Sequence, residues 1–140
     1  MKFLIINGPN LNLLGKREPL LYGSIDFATV LRHIQLSLPE AQIEHFQSND
    51  ESKLIDRLHL ADSEDWTGIV LNAGGFTHTS LALADAVAGI DLPVVEVHIS
   101  NVFGRELIRH HSFISKYARG VIAGFGVDGY RMAIDYFLRS

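Results

Sequence analysis

Cysteine is absent from this chain, which removes disulfides, thiolate metal sites and a cysteine nucleophile together and fits a reducing compartment. Long apolar runs are absent as well. Phe3-Leu4-Ile5-Ile6 stops at Asn7-Gly8-Pro9, far short of a signal h-region or a membrane span. The chain is therefore expected to be cytoplasmic, with no membrane partner. Positive charge is scarce: 12 Lys and Arg stand against 16 Asp and Glu, a net charge of -4. That balance argues against nucleic acid or an anionic membrane as the main partner. Neither an internal repeat nor a linker interrupts the 140 residues, and 47% of them are hydrophobic. One domain over 1–140 with a sizeable core is expected.

What is present is an alternation. Short apolar runs at 2–6, 43–46, 68–71, 94–99 and 121–123 read as strands, and each of the first four is followed by a polar or glycine-rich break and a helical pattern. Strands alternating with helices imply an α/β fold, a five-stranded parallel sheet with helices on both faces. Phe27, Val30, Leu31 and Ile34 recur at helical spacing after an expected cap at Ser24, and Leu54, Ile55, Leu58 and Ala61 do so after Ser48, which forms a capping-box pattern with Glu51. A last helix carries Tyr130, Ala133, Ile134, Phe137 and Leu138 on one stripe. The segment from Thr79 to Ala88 is apolar nearly all round, which suits a helix covered on its outer face by another subunit. Asp85 is its one charged residue, and it must reach water or meet something across that interface.

Pro93-Val94-Val95-Glu96-Val97-His98-Ile99-Ser100-Asn101 is the stretch on which the chemistry turns. Period-two alternation puts Glu96 and His98 on one face of a strand and Val95, Val97 and Ile99 on the other. Buried ionisable groups need partners, and these two can serve each other. A carboxylate beside an imidazole fixes its tautomer and favours the imidazolium, which makes a positioned general acid; a plain hydrogen-bonded pair at a sheet end reads equally well from the strand alone.

Ligands of open parallel sheets bind beyond the carboxyl ends of the strands. Those ends carry Asn7, Asn10, Asn49, Asn72, His98, Ser100 and several glycines, a set able to hold a small oxygen-rich molecule through hydrogen bonds. The connection from Asn7 to Ile25 is longer than the usual two to six residues of such loops and reads as a lid carrying Arg17 and Tyr22. A phenol ordinarily ionises near pH 10, so making one a base near neutrality costs about 3 to 4 kcal/mol. One guanidinium at about 4 Å returns about 4 kcal/mol at an effective dielectric of about 20. Arg105 and Arg109 share a face if their segment is helical, either pairing with Glu106 or pointing their forks into the pocket. His78 either caps the apolar helix or touches a ligand, and no metal-ligand spacing joins the histidines.

These segments closely resemble the type II 3-dehydroquinate dehydratases. The matching runs are Asn7-Gly8-Pro9-Asn10-Leu11-Asn12-Leu13-Leu14-Gly15, Arg17-Glu18-Pro19, Tyr22-Gly23, Gln47-Ser48-Asn49, Asn72-Ala73-Gly74, Thr77-His78-Thr79-Ser80, Glu96-Val97-His98-Ile99-Ser100-Asn101, Arg105-Glu106 and Arg109-His110. They stand in the family's order across nearly the whole chain. The resemblance implies a flavodoxin-like three-layer fold and anti elimination of water from 3-dehydroquinate to 3-dehydroshikimate in the shikimate pathway, through an enolate, with no cofactor or metal. By resemblance Tyr22 is the base and Arg17 holds it as phenolate, His98 oriented by Glu96 is the acid, and Asn10 holds a water on the enolate. Asn72 and the backbone N–H groups of Ile99 and Ser100 match carboxylate-binding positions, His78 and Arg109 match those for ring hydroxyls, and Asp85 matches an acid reaching a neighbouring subunit's site. The family's assembly implies a homododecamer of trimers. Gly75-Phe76, Ser52 and Leu20-Leu21 depart from the commonest pattern, and Leu20-Leu21 lies in the lid.

Other readings of the same fold fit less well. A phosphoacceptor receiver needs acids where Asn7, Asn10 and Asn72 stand; a flavin mononucleotide carrier wants a Ser/Thr-rich loop after the first strand. A serine hydrolase would need G-x-S-x-G. The lysine Schiff-base route to the same product lacks a suitably placed lysine, only Lys16 lying near the strand ends.

Overall fold

In a computed structural model that describes residues 1–140, all five apolar runs are strands: β1 Lys2–Asn7, β2 Gln42–Gln47, β3 Gly68–Asn72, β4 Val94–His98 and β5 Gly120–Ala123. They form one parallel sheet in the order β2-β1-β3-β4-β5, the flavodoxin-like order. The first three run one residue further at their carboxyl ends than the apolar pattern implies. Asn7 continues the ladder against both Gln47 and Asn72, so polar residues close these strands at their carboxyl ends. β4 stops at His98 instead of 99.

The helices are α1 Pro19–Tyr22, α2 Phe27–Ser37, α3 Glu51–Asp62, α4 Leu81–Ala88 and α5 Asp128–Arg139. Two expected caps are displaced. Asp26, not Ser24, caps α2 by accepting from Thr29 N–H at 2.9 Å, and Asp50, not Ser48, caps α3 by accepting from Ser52 N–H at 2.9 Å. In both places an aspartate lies closer to the first apolar turn, and its charge suits the positive helix end better than a hydroxyl does. Ser48 instead accepts from Asp50 N–H, and the capping box does not form. α4 starts at Leu81 under a Ser80 cap, because residues Gly74–His78 make a 3₁₀ turn first.

Alternation along the strands divides the core into two layers. Phe3, Ile5, Val70, Val95 and Val97 face α2 and α5, while Leu4, Ile6, Ile69, Leu71 and Val94 face α3 and α4. The α5 stripe buries Tyr130, Ala133, Ile134 and Phe137. Strand order reverses beside β1: its chain continues outward to β2, then returns to β3 on the other side. That switch point opens a crevice at the carboxyl ends of β1, β3 and β4. Gly8 lets its walls close, since a Cβ there would stand 2.4 Å from the Ala73 carbonyl oxygen. No helix is long and apolar enough to cross a membrane.

Candidate active site

The crevice is a solvent-open cleft with mostly polar walls, as suits a small oxygen-rich ligand. Of the residues singled out in the sequence, Asn10, Arg17, Tyr22, Asn72, His78, His98, Ile99, Ser100 and Arg109 all line it. Glu96 lies just beneath. Asp85 does not reach it: on the outer side of α4 it is exposed to solvent in the single chain.

β4 delivers the acid–base pair. His98 Nε2 and Glu96 Oε2 are 2.9 Å apart, with the histidine 6% and the glutamate 1% exposed. Ser112 Oγ donates to Glu96 Oε1 and Ser115 Oγ to Oε2, each at 2.8 Å. Burial pushes the Glu96 carboxyl up, but His98 and the two hydroxyls outweigh it and hold the group below its ordinary range. The carboxylate is thus fixed as an acceptor, which makes His98 Nε2 a donor and leaves Nδ1 as the ring nitrogen available to a ligand.

The lid delivers Tyr22, the last residue of α1. Its phenol oxygen accepts a hydrogen bond from an Arg105 terminal nitrogen at 2.8 Å, and that nitrogen also lies 3.3 Å from Ser100 Oγ. Arg17 sits differently, with its guanidinium carbon 5.1 Å from the centre of the Tyr22 ring. Two cations therefore embrace the phenol, one on its oxygen and one over its face. A negative oxygen there is stabilised by a charge-assisted hydrogen bond on one side and by through-space attraction on the other.

The remaining polar groups fill the floor and rim. Asn10 takes a left-handed backbone with φ 69°, held by its N–H donating to Asn49 Oδ1 at 3.0 Å. Asn72 is 3% exposed, and its Oδ1 accepts from Gly74 N–H at 3.1 Å. The backbone N–H groups of Ile99 and Ser100 have no acceptor within the chain, so they remain free for an anionic oxygen. His78 donates Nδ1–H to the His111 carbonyl at 2.8 Å. Burial lowers its pKa against that hydrogen bond, and His98 and Arg109 lower it further, so it meets a ligand as a neutral ring. Arg109 does pair with Glu106, at 3.0 Å, yet it still lines the crevice.

Sequence reasoning missed three things. It left Arg105 either paired with Glu106 or facing the pocket and did not bring it to Tyr22, because nothing in the chain pairs a residue at 105 with one at 22. It gave no role to Ser112 and Ser115, whose hydroxyls become informative only once the segment after Arg109 folds over β4. It filed Tyr130 with the α5 core, although the hydroxyl of a fully buried tyrosine needs a partner and is itself a signal of a polar network.

The chain matches the family model described as Dehydroquinase class II over residues 1–138. It is 54% identical to a 3-dehydroquinate dehydratase of Rhodopseudomonas palustris, over 93% of this chain and 87% of that protein. It is 50% identical to the Catabolic 3-dehydroquinase 1 of Fusarium vanettenii, over 98% of this chain and 96% of that protein. Among solved structures, the type II dehydroquinase of Butyrivibrio crossotus superposes with a TM-score of 0.95 at 42% identity, covering 99% of this chain and 97% of that one.

Proposed function

The chain belongs to the class II dehydroquinase family, and from that premise we infer that it removes water from 3-dehydroquinate, the dehydration step of the shikimate pathway. Tyr22 takes the proton next to the ketone, with Arg17 and Arg105 stabilising its oxygen as phenolate. The electron pair enters the carbonyl to give an enolate, and a water held by Asn10 hydrogen-bonds that oxygen. As the enolate collapses, the β-hydroxyl leaves with the proton of His98, which Glu96 keeps oriented. Asn72 and the N–H groups of Ile99 and Ser100 hold the substrate carboxylate, while His78 and Arg109 hold ring hydroxyls. The observation that carries this assignment is a phenol between two guanidiniums and an imidazole on a buried carboxylate, lining one crevice from two different elements. An anti elimination needs its base and acid on opposite sides of the ring, and a lid facing a strand end can supply two such sides. Adding 3-dehydroquinate to the purified protein is expected to produce the ultraviolet absorbance of a conjugated enone. A folded sample that produces no such growth would overturn the assignment.

The active assembly is a homododecamer of trimers, with Asp85 of one subunit reaching toward a neighbour's crevice. Supporting this, Leu81 on α4 is 62% exposed and Leu107 and Ile108 are 82% and 67% exposed, apolar side chains that a neighbouring subunit would cover. Light scattering is expected to give twelve times the mass of one chain. A monomer at micromolar concentration would sink the assembly and with it the role of Asp85.

A further inference from the structure

A line of polar groups, buried except for the half-buried His45, runs under the sheet from its edge to the floor of the crevice. His45 lies on edge strand β2, Asn7 ends β1, Asn72 ends β3, and Tyr130 rises from α5 between the two asparagines. Asn7 and Tyr130 are 0% exposed and Asn72 is 3% exposed. Tyr130 Oη is 2.8 Å from Asn7 Oδ1 and 2.8 Å from Asn72 Nδ2, and Asn7 Nδ2 is 3.1 Å from His45 Nε2.

Each bond in this line can run in one direction only. Gly74 N–H can only donate, so Asn72 turns its oxygen toward Gly74 and its Nδ2 toward Tyr130. Tyr130 Oη accepts from that amide and must send its single hydrogen the other way, to Asn7 Oδ1. Asn7 then presents Nδ2 to His45, which must offer a bare Nε2. Burial depresses the His45 pKa to about 4, so the ring is neutral near physiological pH and can accept. Both ends therefore favour the same polarity: a backbone N–H at one, an unprotonated imidazole at the other. The result is that Asn72 spends one Nδ2 hydrogen on Tyr130 and keeps the second for the crevice.

We propose that Tyr130, with Asn7 and His45 behind it, is a positioning residue that fixes the amide of Asn72 with an N–H toward the substrate carboxylate. This rests on the reading of Asn72 as a carboxylate ligand. Were the amide reversed, its oxygen would face the carboxylate and repel it, and Gly74 N–H would confront an NH₂ group. Tyr130 touches no substrate; it acts through Asn72.

The test is a double-mutant cycle on the intact oligomer, following enone formation from 3-dehydroquinate. Tyr130→Phe keeps the ring and its edge contact with Phe27, at 5.0 Å between centroids, so packing persists while the hydroxyl is lost. It is expected to raise KM about tenfold, with kcat changed less than threefold, because a ground-state contact kept in the transition state appears in KM. In the Asn72→Ala background the same substitution is expected to change KM less than twofold, since its effect passes through the missing amide. His45→Leu, on the sheet edge away from the crevice, is expected to raise KM a few-fold by freeing Asn7 to turn, and it serves if Tyr130→Phe does not fold. The proposal is overturned if Tyr130→Phe and His45→Leu leave KM unchanged while Asn72→Ala raises it, or if the effects of Tyr130→Phe and Asn72→Ala multiply in full, as two independent packing losses would. If Asn72→Ala itself leaves KM unchanged, the carboxylate reading of Asn72 has failed and the positioning role falls with it.

Discussion

Tyr22→Phe is expected to lower kcat about a thousandfold while substrate affinity stays within a few-fold of its normal value. A positioned base accounts for roughly 10²- to 10⁴-fold in rate, and the substitution removes the only atom able to take the proton. The ring remains, and with it the Arg17 contact at 5.1 Å and the packing of the lid against the core. What Arg105 loses is its acceptor at 2.8 Å, and water can replace that at a half-buried site. Turnover at saturating substrate, set against calorimetric binding of 3-dehydroquinate to the variant, separates the two effects. Activity within tenfold of the parent would place the base elsewhere in the crevice.

The second large effect separates the two arginines. Arg105→Ala is expected to lower kcat about a hundredfold, and Arg17→Ala by about tenfold. The difference is geometric. A charge-assisted hydrogen bond directly on the phenol oxygen contributes about 1.5 to 3 kcal/mol, whereas a cation over a ring face contributes about 0.5 to 2 kcal/mol. Turnover of the two variants at saturating 3-dehydroquinate measures this, and a larger loss in Arg17→Ala would reverse the assignment of roles.

The parts of the molecule that could be read from the chain are those set by local periodicity. Period-two alternation in 94–99 is enough to put Glu96 and His98 side by side, and the 2.9 Å contact is what that alternation implies. β1, β3 and β4 emerged because central strands buried on both faces are nearly continuous apolar runs, the edge strands β2 and β5 from shorter apolar runs, and the crevice because strand ends in such sheets collect polar residues. Helix starts were less legible: Ser24 and Ser48 are acceptable caps, but Asp26 and Asp50 compete for the same N–H groups with a full charge. Least legible were pairings between distant segments. The Tyr22–Arg105 bond spans 83 residues and the Tyr130–Asn7 bond 123, and no local pattern encodes either. Asp85 illustrates a further boundary, since in the proposed assembly the groups it meets belong to another copy of the chain.

The crevice walls are drawn from segments as far apart as Pro9 and Arg109, with whole strand–helix units between them. No fragment of the molecule and no half-assembled folding intermediate can hold all of these groups in register. Catalytic competence must therefore arrive late during refolding. The lone tryptophan, Trp66, packs in the α3–α4 layer on the opposite face from Tyr130. Its emission can recover while turnover is still absent.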